Sequence, residues 1–416
     1  MADQDVARTL FAEYYAKHHL EIKPPSAMDQ REFGFLLSRE KMMVRHKSFT
    51  TQRELHEFLQ EYVPGDVYYS SAYYTHPTMP MEKKGWLGAD LIFDIDSDHL
   101  DTPCKQEHDY WTCDNCSRSG RGDKPGTCAN CGGAKFRTET WPCEKCLDAA
   151  KMETQKLLDF LISDFGFPPE ETVICFSGQR GYHVHIEEPE VRQLDQGARR
   201  EISDYITGLG LKLEFHGLAD TDRNSGPGPE PDSYGWDGRI AKGVFDALSA
   251  VSSPKEFKKI DGVSAKAAKA LTENRDKILE SWGTTKSRPM RSVDMGSWRA
   301  LASQEILKQS SIIDTVVTTD IHRLIRLPLT LHGKTGLKAV LLLPRALDRF
   351  DPLEDAVAFN EGVLRVSIDD CHAFRIGDQT FGPYTNEEAE LPLAAALFLL
   401  CKRVAKPVLD QDLLND

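Results

Sequence analysis

Apolar positions recur at helical spacing near the start of the chain. Val6, Leu10, Phe11 and Tyr14 share one face, which predicts an amphipathic helix over residues 4–19. Residues 31–49, REFGFLLSREKMMVRHKSF, mix apolar and basic side chains and predict two short strands. The run ADLIFDID, Ala89 to Asp96, predicts a strand that ends in acid. A helix over 147–164 follows, then ETVICFSG (171–178), a tight turn and GYHVHIE (181–187), which together predict a hairpin. Helical patterning returns at 194–208 and 241–281, separated by a Pro/Gly-rich loop, SGPGPEPDS (225–233). Within the second stretch, IDGVSAKAAKAL (260–271) fits half of a helix-hairpin-helix DNA element or an ordinary Ala-rich helix after a glycine turn; the latter is the simpler reading. Near 320, Thr319 can cap a short helix with Ile321, Leu324 and Ile325 facing inward and Pro328 ending it, placing Arg323 and Arg326 on one face. Short strands and one last helix are expected over 340–400. The irregular alternation indicates an α+β (mixed α/β) class.

At 416 residues the chain is long enough for two or three domains, and 40% hydrophobic with 28% charged residues is an ordinary folded composition. The most apolar run, Leu393 to Cys401, is about half of what a membrane helix needs. Asp3, Asp5 and Glu13 interrupt any signal-peptide core, so an intracellular protein with no membrane partner is expected. Acidic groups outnumber basic ones, 65 to 51, and a net charge of −14 disfavours indiscriminate nucleic-acid binding. Against that background Ile321–Leu347 is a positive island, free of Asp and Glu, containing Arg323, Arg326, Lys334, Lys338 and Arg345. It reads as a phosphate-facing segment or as a solvated face.

Three elements carry chemistry. Asp94 and Asp96 lie two apart on a strand, so both carboxylates project from one face while Leu91, Phe93 and Ile95 enter the core. Such a pair is stabilised by a hard divalent cation, Mg²⁺ or Mn²⁺, though strand-end solvation and the DxD of glycosyltransferases share the pattern. The turn Phe176–His185, FSGQRGYHVH, combines glycines, Ser177 and Arg180, suited to phosphate, with His183 and His185 on one strand face; a glycine hairpin with satisfied histidines fits as well. LHGKTG (331–336) presents a Gly-bracketed His and Lys but lacks the upstream glycine of a P-loop.

Ten cysteines in a reducing compartment indicate metal rather than disulfides. Cys175, Cys371 and Cys401 stand alone as packing thiols. Cys113-x₂-Cys116-x₁₁-Cys128-x₂-Cys131 is a zinc-ribbon spacing, and Cys104, His108, Cys143 and Cys146 around it can complete a second tetrahedral Zn²⁺ site. Both sites read as structural, with four protein ligands each.

The order FDID, SGQRGYHVH, RLIRLPLTLHGKTGL resembles the small, catalytic subunit of archaeal and eukaryotic primase, in wording nearest the archaeal form, and REFGF, MVRHKSF and FDPLEDAV extend the likeness over nearly the whole chain. That resemblance implies a primase-polymerase core with an inserted zinc-binding module and a helical insertion. The expected parts are 1–100 (core with the DxD strand), 101–147 (zinc module, inner ribbon 113–131), 148–193 (core hairpin), 194–300 (helical insertion) and 301–416 (core with the third aspartate and phosphate-binding segment). It implies Asp94, Asp96 and Asp314 as a catalytic triad holding Mg²⁺ or Mn²⁺. It implies Ser177, Arg180, His183, Arg326 and His332 on the incoming nucleotide, with Glu32 and Arg45 lining the same site. Gln179 departs from members with arginine there. The implied activity is nucleotidyl transfer: short RNA primers, with DNA left open, made on a single-stranded DNA template from nucleoside triphosphates, together with a large primase subunit. The alternative is a primase-polymerase of end joining or lesion repair. A zinc-ribbon DNA adaptor is a non-enzymatic rival.

Overall fold

The computed structural model describes residues 2–37, 42–218, 230, 232–251, 253–281 and 293–408, so most of the Pro/Gly stretch 225–233 lies outside the described residues. The chain divides into two compact units. One comprises residues 1–154, 168–200 and 313–416; the other, 155–167 and 201–312.

Two antiparallel sheets organise the first unit. In one, the strands run in the order Leu324–Arg326, Asp66–Ser70, Phe33–Leu37, Met42–Lys47. In the other the order is Val340–Leu342, Thr172–Phe176, Gly181–Ile186, Leu91–Asp96. The opening helix Ala2–His18 and the helix Gln52–Tyr62 place Leu10, Phe11, Tyr15, Leu55 and Leu59 against Phe33, Phe35, Val67 and Tyr69. On the second sheet Leu91, Phe93 and Ile95, with Tyr182, Val184 and Ile186 from the hairpin, are fully buried, leaving Asp94, Asp96 and His183 on the opposite face.

Within residues 104–146 a short helix, Lys105–His108, precedes a three-stranded ribbon, Ser119–Arg121, Tyr110–Cys113 and Phe136–Glu139. The helix Glu144–Asp159 continues as one π turn over Phe160–Asp164. The C-terminal part contributes the sheet Glu387–Pro392, Val363–Ile368, Ala405–Pro407 and the buried helix Leu393–Lys402.

The second unit is helical. It contains Gly235–Ala250, Pro254–Phe257, Ala265–Glu273, Arg275–Ser281 and Met295–Gln309. Arg239 crosses it, 2.9 Å from both carboxylate oxygens of Asp164 and stacked on Phe160. The helical stretch 241–281 is therefore broken: Pro254 restarts a helix at its first position, and Gly262 turns the chain at φ +87° before Ser264 caps the Ala-rich helix.

A further sequence expectation fails. The short helix near 320 lies earlier, Thr315–Thr319, capped by Asp314, and residues 324–326 form a strand. Pairing of Leu324, Ile325 and Arg326 with Ser70, Tyr69 and Tyr68 satisfies their backbone across the sheet, which outweighs the local helical spacing. Arg323 and Arg326 therefore do not share a helix face.

Candidate active site

Strand register sets the first cluster. His183 stands directly opposite Asp94, and Gly181 opposite Asp96. A Cβ at Gly181 would lie 2.4 Å from the Ile95 carbonyl oxygen, so only glycine allows the strands this close. His183 Nε2 lies 3.3 Å from Asp94 Oδ1, and burial, helped by Arg326, pulls this imidazole down to about 4. The imidazole thus faces the Asp94 carboxylate at close range from the neighbouring strand.

Asp314 joins them through the backbone: its N–H donates to the Asp94 carbonyl at 2.8 Å. Its carboxylate caps the helix Thr315–Thr319 through the Val316 N–H and lies 4.0 Å from His99 Nε2. Burial and then Asp96, with Asp314 adding to them, push Asp94 up to about 7, against the pull of Arg323 and His99. Asp96 and Asp314 both act electrostatically on Asp94, and carboxylate oxygens are donors of the kind a hard divalent cation takes. Bound there, it would relieve the repulsion that raises Asp94.

A second cluster joins Arg326, His332 and Asp66. Arg326 donates to Asp66 Oδ1 at 2.7 Å and stacks on Tyr68, and the Gly333 N–H donates to the same oxygen at 2.9 Å. Burial alone would raise Asp66, but Arg326, His332 and that N–H hold it at about 2. His332, buried beside Arg326, is pushed well below its ordinary value. Gly178, at φ +83°, seats the Ser177 turn on this cluster; a Cβ there would come within 2.9 Å of the His332 Cβ. The Ser177 hydroxyl accepts from the Gln179 and Gly181 N–H groups, and Thr335 Oγ1 donates to the Gly178 carbonyl. Both turns are thus clamped together.

The remaining candidates are engaged elsewhere. Arg180 is buried and paired with Asp98 and, at 2.8 Å, with Asp109. Glu32 is buried and accepts from Arg45 Nε at 3.0 Å and the His46 N–H, with Lys84 Nζ 3.1 Å away. Burial opposes its ionisation, yet these donors lower its pKa. Arg31, its neighbour, is spent on Asp90 at 2.6 Å. Gln179 donates to Thr140 Oγ1.

The cysteine ligands assemble as two sets, Cys104–His108–Cys143–Cys146 and Cys113–Cys116–Cys128–Cys131, with all donor atoms of each within 4.8 Å of one another. Sulfur separations of 3.3 Å for Cys104–Cys146 and 3.6 Å for Cys113–Cys131 approach the ~3.8 Å edge of a tetrahedral zinc–thiolate site. Both sets fit Zn²⁺, and all ten cysteines are free of disulfides.

The outer set connects to the Ser177 turn. His108 Nε2 faces Cys146 Sγ at 3.5 Å while Nδ1 lies 2.8 Å from Asp109 Oδ1, which also accepts from Arg180 and from the Trp141 N–H. Sequence reasoning missed Asp109, Asp66 and Lys84. Only the position of Asp109 beside a zinc-ligand histidine, and of Asp66 at the head of the apolar strand DVYYS, signalled them.

The family model described as DNA primase small subunit matches residues 132–342. The DNA primase small subunit of Nitrosopumilus maritimus is 30% identical over 95% of this chain and 96% of its own length. That of Methanothrix thermoacetophila is 34% identical over 96% and 97%, and that of Methanococcoides burtonii 33% over the same shares. The chain belongs to the DNA primase small subunit family. In this primase small subunit the matched segment includes the Ser177 turn, Asp314, Arg326 and His332, whereas the Asp94–Asp96 strand lies upstream of it. Among the described residues no helix is long and apolar enough to cross a membrane.

Proposed function

We propose that this chain is the catalytic subunit of a DNA primase, joining nucleoside triphosphates into short primers on single-stranded DNA, in the cytoplasm of an archaeal-type cell and together with a large primase subunit. The convergence of Asp94, Asp96 and Asp314 beside a neutral His183 carries this reading, on a chain whose relatives bear the primase name over their whole length. The three carboxylates would hold Mg²⁺ or Mn²⁺, which when bound polarises the primer 3′-hydroxyl and the phosphate under attack. His183, 3.3 Å from Asp94 on the adjacent strand, flanks the carboxylates. Arg326, kept charged and oriented by Asp66, faces the departing phosphates, with His332 beside it. The nucleophile is the primer hydroxyl, so no side-chain nucleophile is required. Glu32 and Arg45 act as an ion-paired wall beside the nucleotide. Ser177 and Arg180 shape the turn against it.

The zinc sets support the site from outside, each offering four protein ligands and no open position. A net charge of −14 makes template grip weak in the chain alone, which favours a partner. The test supplies purified protein, with and without the large subunit, with labelled ATP or dATP, Mg²⁺ or Mn²⁺ and oligo-dT. Template-dependent polymer is expected, and it should disappear in Asp96→Asn, which keeps the side-chain shape but loses the charge. Polymer absent from every combination, or Asp96→Asn within threefold of wild type, would refute the proposal.

A further inference from the structure

A cavity of about 680 Å³ opens in the first unit among Thr138–Thr140, the turn that carries His332, and the C-terminal end of the helix Leu393–Lys402. None of Asp94, Asp96, Asp314, His183, Arg326 or His332 lines it. Five cations do: Arg8, Lys334, Lys402, Arg403 and Lys406, and among the described residues none of them has an ion-pair partner. Two acids also reach the wall. Asp66 is already committed to Arg326 and the Gly333 N–H, and Glu139 is exposed. The lining is therefore positive inside a strongly acidic chain.

Lys402 is the most informative of the five. It is only 6% exposed, its Nζ donates to the Thr140 carbonyl at 2.7 Å, and the rings of Trp141 and Phe398 lie 5.6 and 5.4 Å away. An ammonium has three donors, and a buried one without a carboxylate is costly unless a ligand supplies the anion. Burial, with Arg180 and Lys334 near it, pulls Lys402 down to about 7, which Cys401 and the exposed Glu139 oppose only in part. An anion in the cavity would restore its charge.

The position narrows the ligand. Gly333 and Lys334 connect the cavity to the His332 turn, and Thr140, on its wall, accepts from Gln179 of the Ser177 turn. It thus lies beside both turns that face phosphate in the proposed reaction. A singly charged ion would answer one of the five cations, whereas a short phosphate chain spans several. Phe11, Leu36 and Leu37 form an apolar part of the lining.

We infer that this cavity is a second anion site that binds a chain of two or three phosphates, through Lys402 at its base and Arg403 and Lys406 at its mouth. The ligand is the pyrophosphate released by the reaction or the triphosphate tail of a nucleotide. This goes beyond the primase reading, and the binding itself does not rest on it.

Calorimetric titration of the zinc-loaded chain with inorganic tripolyphosphate and with pyrophosphate, without divalent cation or DNA, tests it. Lys402→Met and the pair Arg403→Gln, Lys406→Gln should each weaken binding at least tenfold while melting like wild type. If Lys402→Met does not fold, the surface pair decides. Affinity unchanged in the pair, or an oligo-dT that displaces tripolyphosphate as well as pyrophosphate does, overturns the inference. Synthesis assays distinguish the sources. Weaker inhibition by pyrophosphate at constant nucleotide KM identifies the released product, and a raised KM identifies the nucleotide tail. Binding is read without catalysis, so an inactive enzyme that binds, or an active one that does not, separates this inference from the primase reading.

Discussion

Removing Asp109 should damage two places at once. Its carboxylate is buried between the outer zinc set and the Ser177 turn, accepting from Arg180 at 2.8 and 3.0 Å and from the Trp141 N–H at 3.1 Å, and lying 2.8 Å from His108 Nδ1. Breaking a buried ion pair by deleting one partner costs about 3–5 kcal/mol. Here Arg180 keeps a second carboxylate, the half-exposed Asp98, so Asp109→Ala should cost about 2–3 kcal/mol. Asp109→Asn retains an acceptor for Trp141 and His108 and loses only the charge facing Arg180, which should cost about 1–2 kcal/mol. Deleting the group that orients a zinc-ligand histidine typically lowers metal affinity 10–100-fold. The assay follows zinc transfer to a chromophoric chelator together with nucleotide KM and kcat. Asp109→Ala should release one zinc more readily and leave the other untouched. It should also raise KM, because the turn that carries Arg180 loses its anchor. Zinc affinity within twofold of wild type, with KM unchanged, would show that the Asp109 bridge does not couple the two places.

The third carboxylate is tested with amides that preserve its capping role: Asp314→Asn should lose at least a hundredfold in nucleotide addition, while Asp320→Asn, at the other end of the helix Thr315–Thr319 and bonded to the His322 N–H, should retain most activity. Exchanged phenotypes would reassign the triad. Replacing Cys143 and Cys146 should harm activity more than replacing Cys113 and Cys128, because only the outer set reaches Arg180 through Asp109; metal analysis should find one zinc lost in either case. Asp66 is held at about 2, below its ordinary 3.8, so its contribution is fully present above the unfolded value and is lost as pH falls from about 4 through 2. The shift corresponds to about 2 kcal/mol; Asp66→Asn should therefore be less stable than wild type at pH 6, with the gap in urea midpoint closing below pH 3, and a gap independent of pH would refute this account.

Local periodicity determined a large part of this protein. The two-residue alternation of LIFDID is enough to place Asp94 and Asp96 on one face, because side chains in a strand must alternate. The hairpin around Ser177–Gly181 and both cysteine ligand sets were legible for the same reason, since turn chemistry and metal-ligand spacing act over a few residues. What the sequence left undecided lies at long range. The segment 324–326 has helical spacing, yet it is a strand because Asp66–Ser70 offers it backbone partners more than 250 residues away in sequence. Glu32 and Arg180 look like free polar groups in their motifs, and only folding shows them paired with Lys84, Arg45, Asp98 and Asp109. Asp66 carries no motif at all. Its place beside Arg326 and Gly333 follows from sheet register, and the charge state of that cluster follows from burial, which no local pattern encodes.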